Sequence, residues 1–134
     1  MKRRILFLFV AAVATLTVVG VAVAGNAHFV GALSITEGTN SISVSGKVAG
    51  LGNISQINVV VSADAACVNP GEKKPKAANK STFTAEGDFP VQNGKANFSL
   101  TVTAAFQPTC SGPMTIEFSN VTVAVFDAEG NQLI

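Results

Sequence analysis

The sequence has no tryptophan, no tyrosine, a single histidine, two cysteines and only 13% charged residues. Each shortage removes a class of function. A Ser-His-Asp or Cys-His hydrolase needs an imidazole held by a third group, and His28 is the only imidazole here. Surface sugar binding commonly uses rigid amphipathic rings, which Trp and Tyr supply and the nine Phe residues do not. At 134 residues the chain is one domain, too short for a barrel enzyme or a doubly wound cofactor domain. A 48% hydrophobic content argues equally against intrinsic disorder.

Much of that apolar content sits at the front. Lys2, Arg3 and Arg4 precede an apolar run from Ile5 to Ala24, which ends in Ala22-Val23-Ala24. A positive start, an apolar stretch and small residues at the A-x-A positions predict a signal peptide over 1–24, cleaved before Gly25. The alternative is an uncleaved anchor, since about 20 apolar residues also span a bilayer. In both readings residues 25–134 form a single domain delivered outside the membrane by a Sec-type route, secreted or on the cell surface. Removing the leader leaves six basic residues, all lysine, against eight acids, so the net charge becomes −2. A nucleic-acid footprint is absent from such a domain, and the membrane is touched only through an uncleaved leader.

The remaining sequence is written in period two. Ala96, Phe98, Leu100, Val102 and Ala104 alternate with Asn97, Ser99, Thr101 and Thr103. Ile42, Val44 and Val48 alternate with Ser43, Ser45 and Lys47; Phe83, Ala85 and Phe89 alternate with Thr82, Thr84 and Asp88. Ile57, Val59 and Val61 share a parity, as do Phe29, Leu33 and Ile35. Such runs are half-buried strands, and nowhere does an i, i+3, i+4, i+7 pattern persist. In the last run Met114, Ile116 and Phe118 are even, whereas Val121, Val123 and Val125 are odd. A β-bulge near Ser119-Asn120 would restore the inward face, and two shorter strands on different sheets would do the same.

Turn formers separate the runs at Glu37–Asn40, Gly50–Asn53, Asn93-Gly94 and Ala128–Asn131. Asn93-Gly94 is the strongest hairpin signal, because both residues tolerate the positive φ of a tight turn. The pattern predicts an all-β fold, an antiparallel two-sheet sandwich of the Ig-like or Greek-key type with about 6–8 strands. A small β-barrel is the alternative. Asn69 to Lys80 is long enough to suggest a crossover between sheets, and the tail Asn131–Ile134 is a candidate open edge for strand pairing.

Cys67 and Cys110 are the only cysteines, both placed just past strands and followed by turn formers. In an exported chain an even pair predicts a disulfide. A metal centre would need more soft ligands, so neither a metal nor a cofactor is expected.

Val44 to Asn53 reads V-S-G-K-V-A-G-L-G-N, Cys67 to Gly71 reads C-V-N-P-G, and Pro75, Asn79 and Cys110 follow. This resembles a group of small secreted bacterial β-sandwich proteins with no characterised function. In them a strand ending G-L-G-N precedes a C-x-N-x-G-G-N-x-x-P-G-x-N loop and a second cysteine. The resemblance spans Ser43 to Val125; here Glu72-Lys73 stands in place of Gly-Asn, and Ala77 in place of a glycine. It implies a secreted bacterial sandwich and no activity.

Three functions remain as expectations. The first is a non-catalytic structural or interaction module with a protein or surface-polymer partner. The second is an anionic-ligand binder acting through Lys73, Lys74, Lys76 and Lys80, four of the six remaining lysines. The third is a hydrolase using Glu117 with Glu86 or Asp88, which would require these carboxylates to face one another across a cleft. Asp127, Glu129 and Asn131 cluster oxygens around Gly130 as a weak calcium candidate, but lack the spaced ligands of a calcium loop, and a turn explains them. Asn53, Asn79, Asn97 and Asn120 open N-x-S/T triplets, which matter only in a glycosylating pathway.

Overall fold

The computed structural model describes residues 26–69 and 79–134. The leader, with its cleavage site, and Lys73, Lys74 and Lys76 lie outside the described residues. Seven strands are present among the described residues: β1 (His28–Phe29), β2 (Ser34–Glu37), β3 (Ser41–Ala49), β4 (Gln56–Val68), β5 (Lys80–Pro90), β6 (Ala96–Thr103) and β7 (Thr115–Phe126). In the first sheet β3 pairs with β6 on one side and with β1 and β2 on the other. In the second, β4 lies between β5 and β7. All pairings are antiparallel and the two sheets do not close into a barrel, so the fold is the sandwich expected from the alternation.

The alternation becomes burial directly. Along β4 the odd residues Ile57, Val59, Val61 and Ala63 are fully buried, and Ala65 and Cys67 nearly so. Val44, Val48, Val102 and Val125 meet them from the neighbouring strands. Among the described residues no polar or charged side chain is buried. The core therefore carries no desolvated polar group needing a partner, and apolar area removed from water dominates its stability. Gly46 has the inward parity of Val44 and Val48, and its missing side chain leaves room for Leu33 and the Phe98 ring.

The parity switch resolves as a bulge in one strand. Ser62 pairs with Thr122 and Asp64 with Ser119, so Ala63 faces two residues, Asn120 and Val121. Asn120 adopts φ +52°, a conformation that asparagine tolerates better than most residues. Its side-chain amide donates to Asp64 Oδ2 at 2.8 Å and fastens the bulge.

Three expectations need correction. The 69–80 connection does not cross between sheets: β4 and β5 pair from Ala66–Lys80 to Gln56–Pro90, so it is the loop of a hairpin. The chain changes sheet instead between β3 and β4, at Asn93-Gly94 between β5 and β6, and between β6 and β7. The Asn93-Gly94 turn has both central φ values positive (55° and 75°) and closes with paired Gln92–Lys95 bonds of 2.8 and 3.0 Å, yet β5 and β6 then part into different sheets. Turn chemistry fixes the reversal but not which strand each arm pairs with. Cys67 is not past its strand but within β4, opposite Ile116.

The tail also differs from the open edge expected of it. Val125 N donates to Ile134 O, Leu133 N donates to Val125 O, and Leu133 and Ile134 are buried. Their apolar side chains complete the core, and the tail covers the free side of β7 at its last residues, Val125 and Phe126.

Candidate functional site

The strands bring the connections to two opposite ends. One, the turn end, gathers Gly50–Ser55, Val91–Lys95 and Asp127–Asn131. Leu51, fully buried, plugs the core there and holds its turn in place. Leu51 N donates to Gly94 O at 3.0 Å and Val91 N to Ser55 O at 2.9 Å, so the two turns are fastened by backbone bonds. Gly50, Gly52, Asn93 and Gly94 all have positive φ. Only glycine fits at Gly50, where a Cβ would strike the Asn26 carbonyl.

Between these turns lies an open depression of about 660 Å³, whose polar lining includes Asn53, Ser55, Asn93 and Lys95. A second, about 400 Å³, shares Asn93 and Lys95 and adds Lys47, Gln92 and Asn97. Neither lining contains a carboxylate. On the other side of the turn end, a depression of about 450 Å³ carries Asp88 and Asp127. One end of the molecule thus has a lysine side and an aspartate side.

At the disulfide end Cys67 and Cys110 are bonded, with Cα atoms 5.8 Å apart. Ala65, Ala104 and Phe106 form a satellite core beside the bridge, and Phe83 meets Phe106 edge-on at 5.5 Å. Met114 Sδ lies 3.6 Å from Cys67 Sγ, a packing contact, because an oxidised cysteine has no proton to donate. Phe106 is therefore an edge of the core. Lys80, the only member of the lysine loop among the described residues, stands exposed at the start of β5, across Ala66 from Glu117.

Glu86, Asp88 and Glu117 are all exposed on the outer face of the second sheet. Asn58 donates to Asp88 Oδ1 at 2.9 Å and to Glu86 Oε2 at 3.3 Å. Glu86 pairs at Val60 and Glu117 at Ala66, six residues along β4, which separates them by roughly 20 Å. The carboxylates imagined as a hydrolytic pair thus stand on a flat face at that distance. Asp127 serves its own turn: Oδ1 accepts from the Glu129 and Asn131 amides at 2.9 and 2.8 Å, and Oδ2 from the Asn131 side chain at 3.1 Å. Partial burial works against its charge, but these bonds and one from Gly130 outweigh it and hold the carboxyl below the ordinary aspartate range. Glu129, the third member of the calcium candidate, is exposed. No group of three or more His, Cys, Asp or Glu residues converges among the described residues.

Sequence reasoning passed over Lys47, Lys95, Asn58 and Asp64. Asp64 accepts from Thr82 at 2.6 Å as well as from Asn120, at the middle of the bulged face. The available signal was outward parity: Asn58 and Asp64 are polar positions on a strand whose other parity is entirely apolar. Lys95 was marked only by following Asn93-Gly94.

No protein-family model matches the chain, and no curated protein matches it.

Proposed function

We infer that the chain is an exported, non-catalytic interaction module that holds an anionic ligand or surface polymer at the lysine side of its turn end. The observation that carries this reading is the 660 Å³ depression, where Lys95 and amide side chains meet between turns fastened to each other, with no carboxylate in the lining. A rigid rim means that little ordering entropy is spent on binding. Positive-φ turns also tend to aim backbone N–H groups into concavities that suit anions. The disulfide is compatible with an oxidising, extracellular compartment, and the basic, apolar and A-x-A pattern of residues 1–24 supports export.

The lysine loop at the disulfide end is the competing place for the same chemistry, with Lys80 as its described member. Titration of the isotope-labelled protein with dextran sulfate and with neutral dextran, followed by amide chemical shifts, distinguishes them. The expected result is sulfate-dependent shifts at Gly52, Asn53 and Asn93–Lys95, lost in about 1 M salt, where the screening length is about 3 Å. Lys95→Gln should weaken binding more than Lys80→Gln. Shifts confined to residues around Lys80 would overturn the placement, and equal shifts with neutral dextran would overturn the anionic chemistry. Turnover of a substrate by the purified protein would overturn the non-catalytic reading.

A further inference from the structure

The four sheet edges are treated differently. Edge strands expose unpaired N–H and C=O groups, and proteins blunt them with charge, proline, bulges or a covering segment. β7 is interrupted by the bulge at Asn120, carries Glu117, and is covered by the tail at its last residues, with Val125 bonded to Leu133 and Ile134. β5 carries Lys80, Glu86, Asp88 and, at its end, Pro90. β6 leaves β5 at the tight Asn93-Gly94 turn and packs beside it, with Leu100 in the space over Gly87. β2 has neither a covering segment among the described residues nor a charge before its last residue, Glu37.

β2 is also apolar where it should be buried. Ile35 pairs with Val44, which is 0% exposed, yet Ile35 itself is 38% exposed, and all four residues of β2 are exposed. Gly38 N donates to Ser41 O at 2.7 Å in the β2–β3 hairpin. Bonded and non-bonded pairs alternate along an antiparallel ladder. Thr36–Ser43 and Ser34–Ser45 are therefore the bonded pairs, and the N–H and C=O of Ile35 and Glu37 point away from β3.

We propose that β2 pairs antiparallel with β2 of a second copy of this chain, about a two-fold axis through Ile35. This register is self-complementary. Ile35 meets its own copy in a doubly bonded pair and covers the exposed side chain, while Leu33 and Glu37 pair at the two ends. Ser34 meets Thr36 of the other copy. That contact joins the row Ser99–Ser45–Ser34 to Thr36–Ser43–Thr101, so one hydroxyl lattice runs unbroken across both copies. The lattice is already knitted within one copy, where Ser43 Oγ lies 2.8 Å from Thr101 Oγ1. No like charges oppose one another anywhere along the seam.

The test uses the protein as it accumulates after export. Sedimentation across a micromolar-to-millimolar series should show a monomer–dimer equilibrium, and Ile35→Lys, which sets two ammonium groups across the axis, should abolish the dimer while leaving Tm unchanged at concentrations where the parent is monomeric. In a second variant, Ile35→Cys should form an intermolecular disulfide, because a bonded pair places Cα atoms about 5.5 Å apart, within bridging range. Thr84→Cys, exposed on the opposite sheet, is the control. A protein that stays monomeric throughout the series, a dimer indifferent to Ile35→Lys, or equal crosslinking through Thr84→Cys would each overturn the proposal.

Discussion

At the turn end, five residues of positive φ, a buried Leu51 and backbone bonds between turns hold the loops; at the disulfide end, a covalent bond between residues 43 apart and a satellite cluster do so. In the first, each turn takes its shape from adjacent residues that carry their own conformational instruction, although the backbone bonds joining one turn to another span distances in sequence like that of the disulfide. The second depends on side chains brought together by the completed fold, with Phe83 from β5 against Phe106 and Cys67 from β4 against Cys110. Local chemistry thus shapes the end that holds the candidate ligand site. Long-range crosslinking secures the end where three strands finish and a long hairpin loop begins.

Breaking the crosslink should have the largest effect. Replacing both cysteines by alanine releases a long loop in the unfolded chain, at a cost of roughly 4 kcal/mol by chain entropy. Cys67 is almost wholly buried, so lost packing adds to this. Urea unfolding of the double variant should show the reduced midpoint, while the amide shifts of Gly52 and Asn93–Lys95 stay in place. If the turn-end signals moved as much as those around Phe106, the two ends would not be separately held.

A single methyl group tests the other end. Gly50→Ala places a side chain both in a left-handed conformation and against the Asn26 carbonyl. Gly94→Ala has the same φ of +75°, but its nearest neighbour is a backbone nitrogen 3.5 Å away. The left-handed penalty of about 1–2 kcal/mol is common to both. Gly50→Ala should therefore be the more destabilising by at least about 1 kcal/mol, the contact term alone. Equal losses in thermal unfolding would show that only φ matters, and that Asn26 yields freely.

The same division explains what the sequence made legible. Alternation located every long strand, because burial on one face imposes period two wherever a strand crosses a core. The parity break was readable for the same reason, since Phe118 and Val121 cannot both face inward on an unbroken strand; that one bulged strand and not two separate strands resolves it was not. Which sheet a strand joins was not readable, since Asn93-Gly94 specifies a reversal whether the arms pair or part. The 69–80 segment misled in the converse way, its length suggesting a crossing where β4 and β5 pair along eleven positions. The candidate site was hidden by the same gap. Lys47 and Lys95 lie 48 positions apart and become neighbours only because Lys47 pairs with Asn97.

The smallest effect concerns pH and marks the turn end alone. Asp127 loses some hydration, but N–H donors from Asn131, Glu129 and Gly130 outweigh that loss and lower its folded pKa. A group whose pKa is depressed by folding contributes stability above its unfolded value, about 3.9, and that contribution is lost as pH falls through the lower folded value. Asp127→Asn removes the charge while keeping an acceptor for the turn. The variant should be less stable than the parent at pH 7 and indistinguishable from it well below pH 3, a convergence visible in urea midpoints across the acid range. The carboxylate is largely solvent-screened, so the difference at pH 7 stays within about 1 kcal/mol. A gap that persisted undiminished in acid would trace the loss to altered turn geometry instead of to charge.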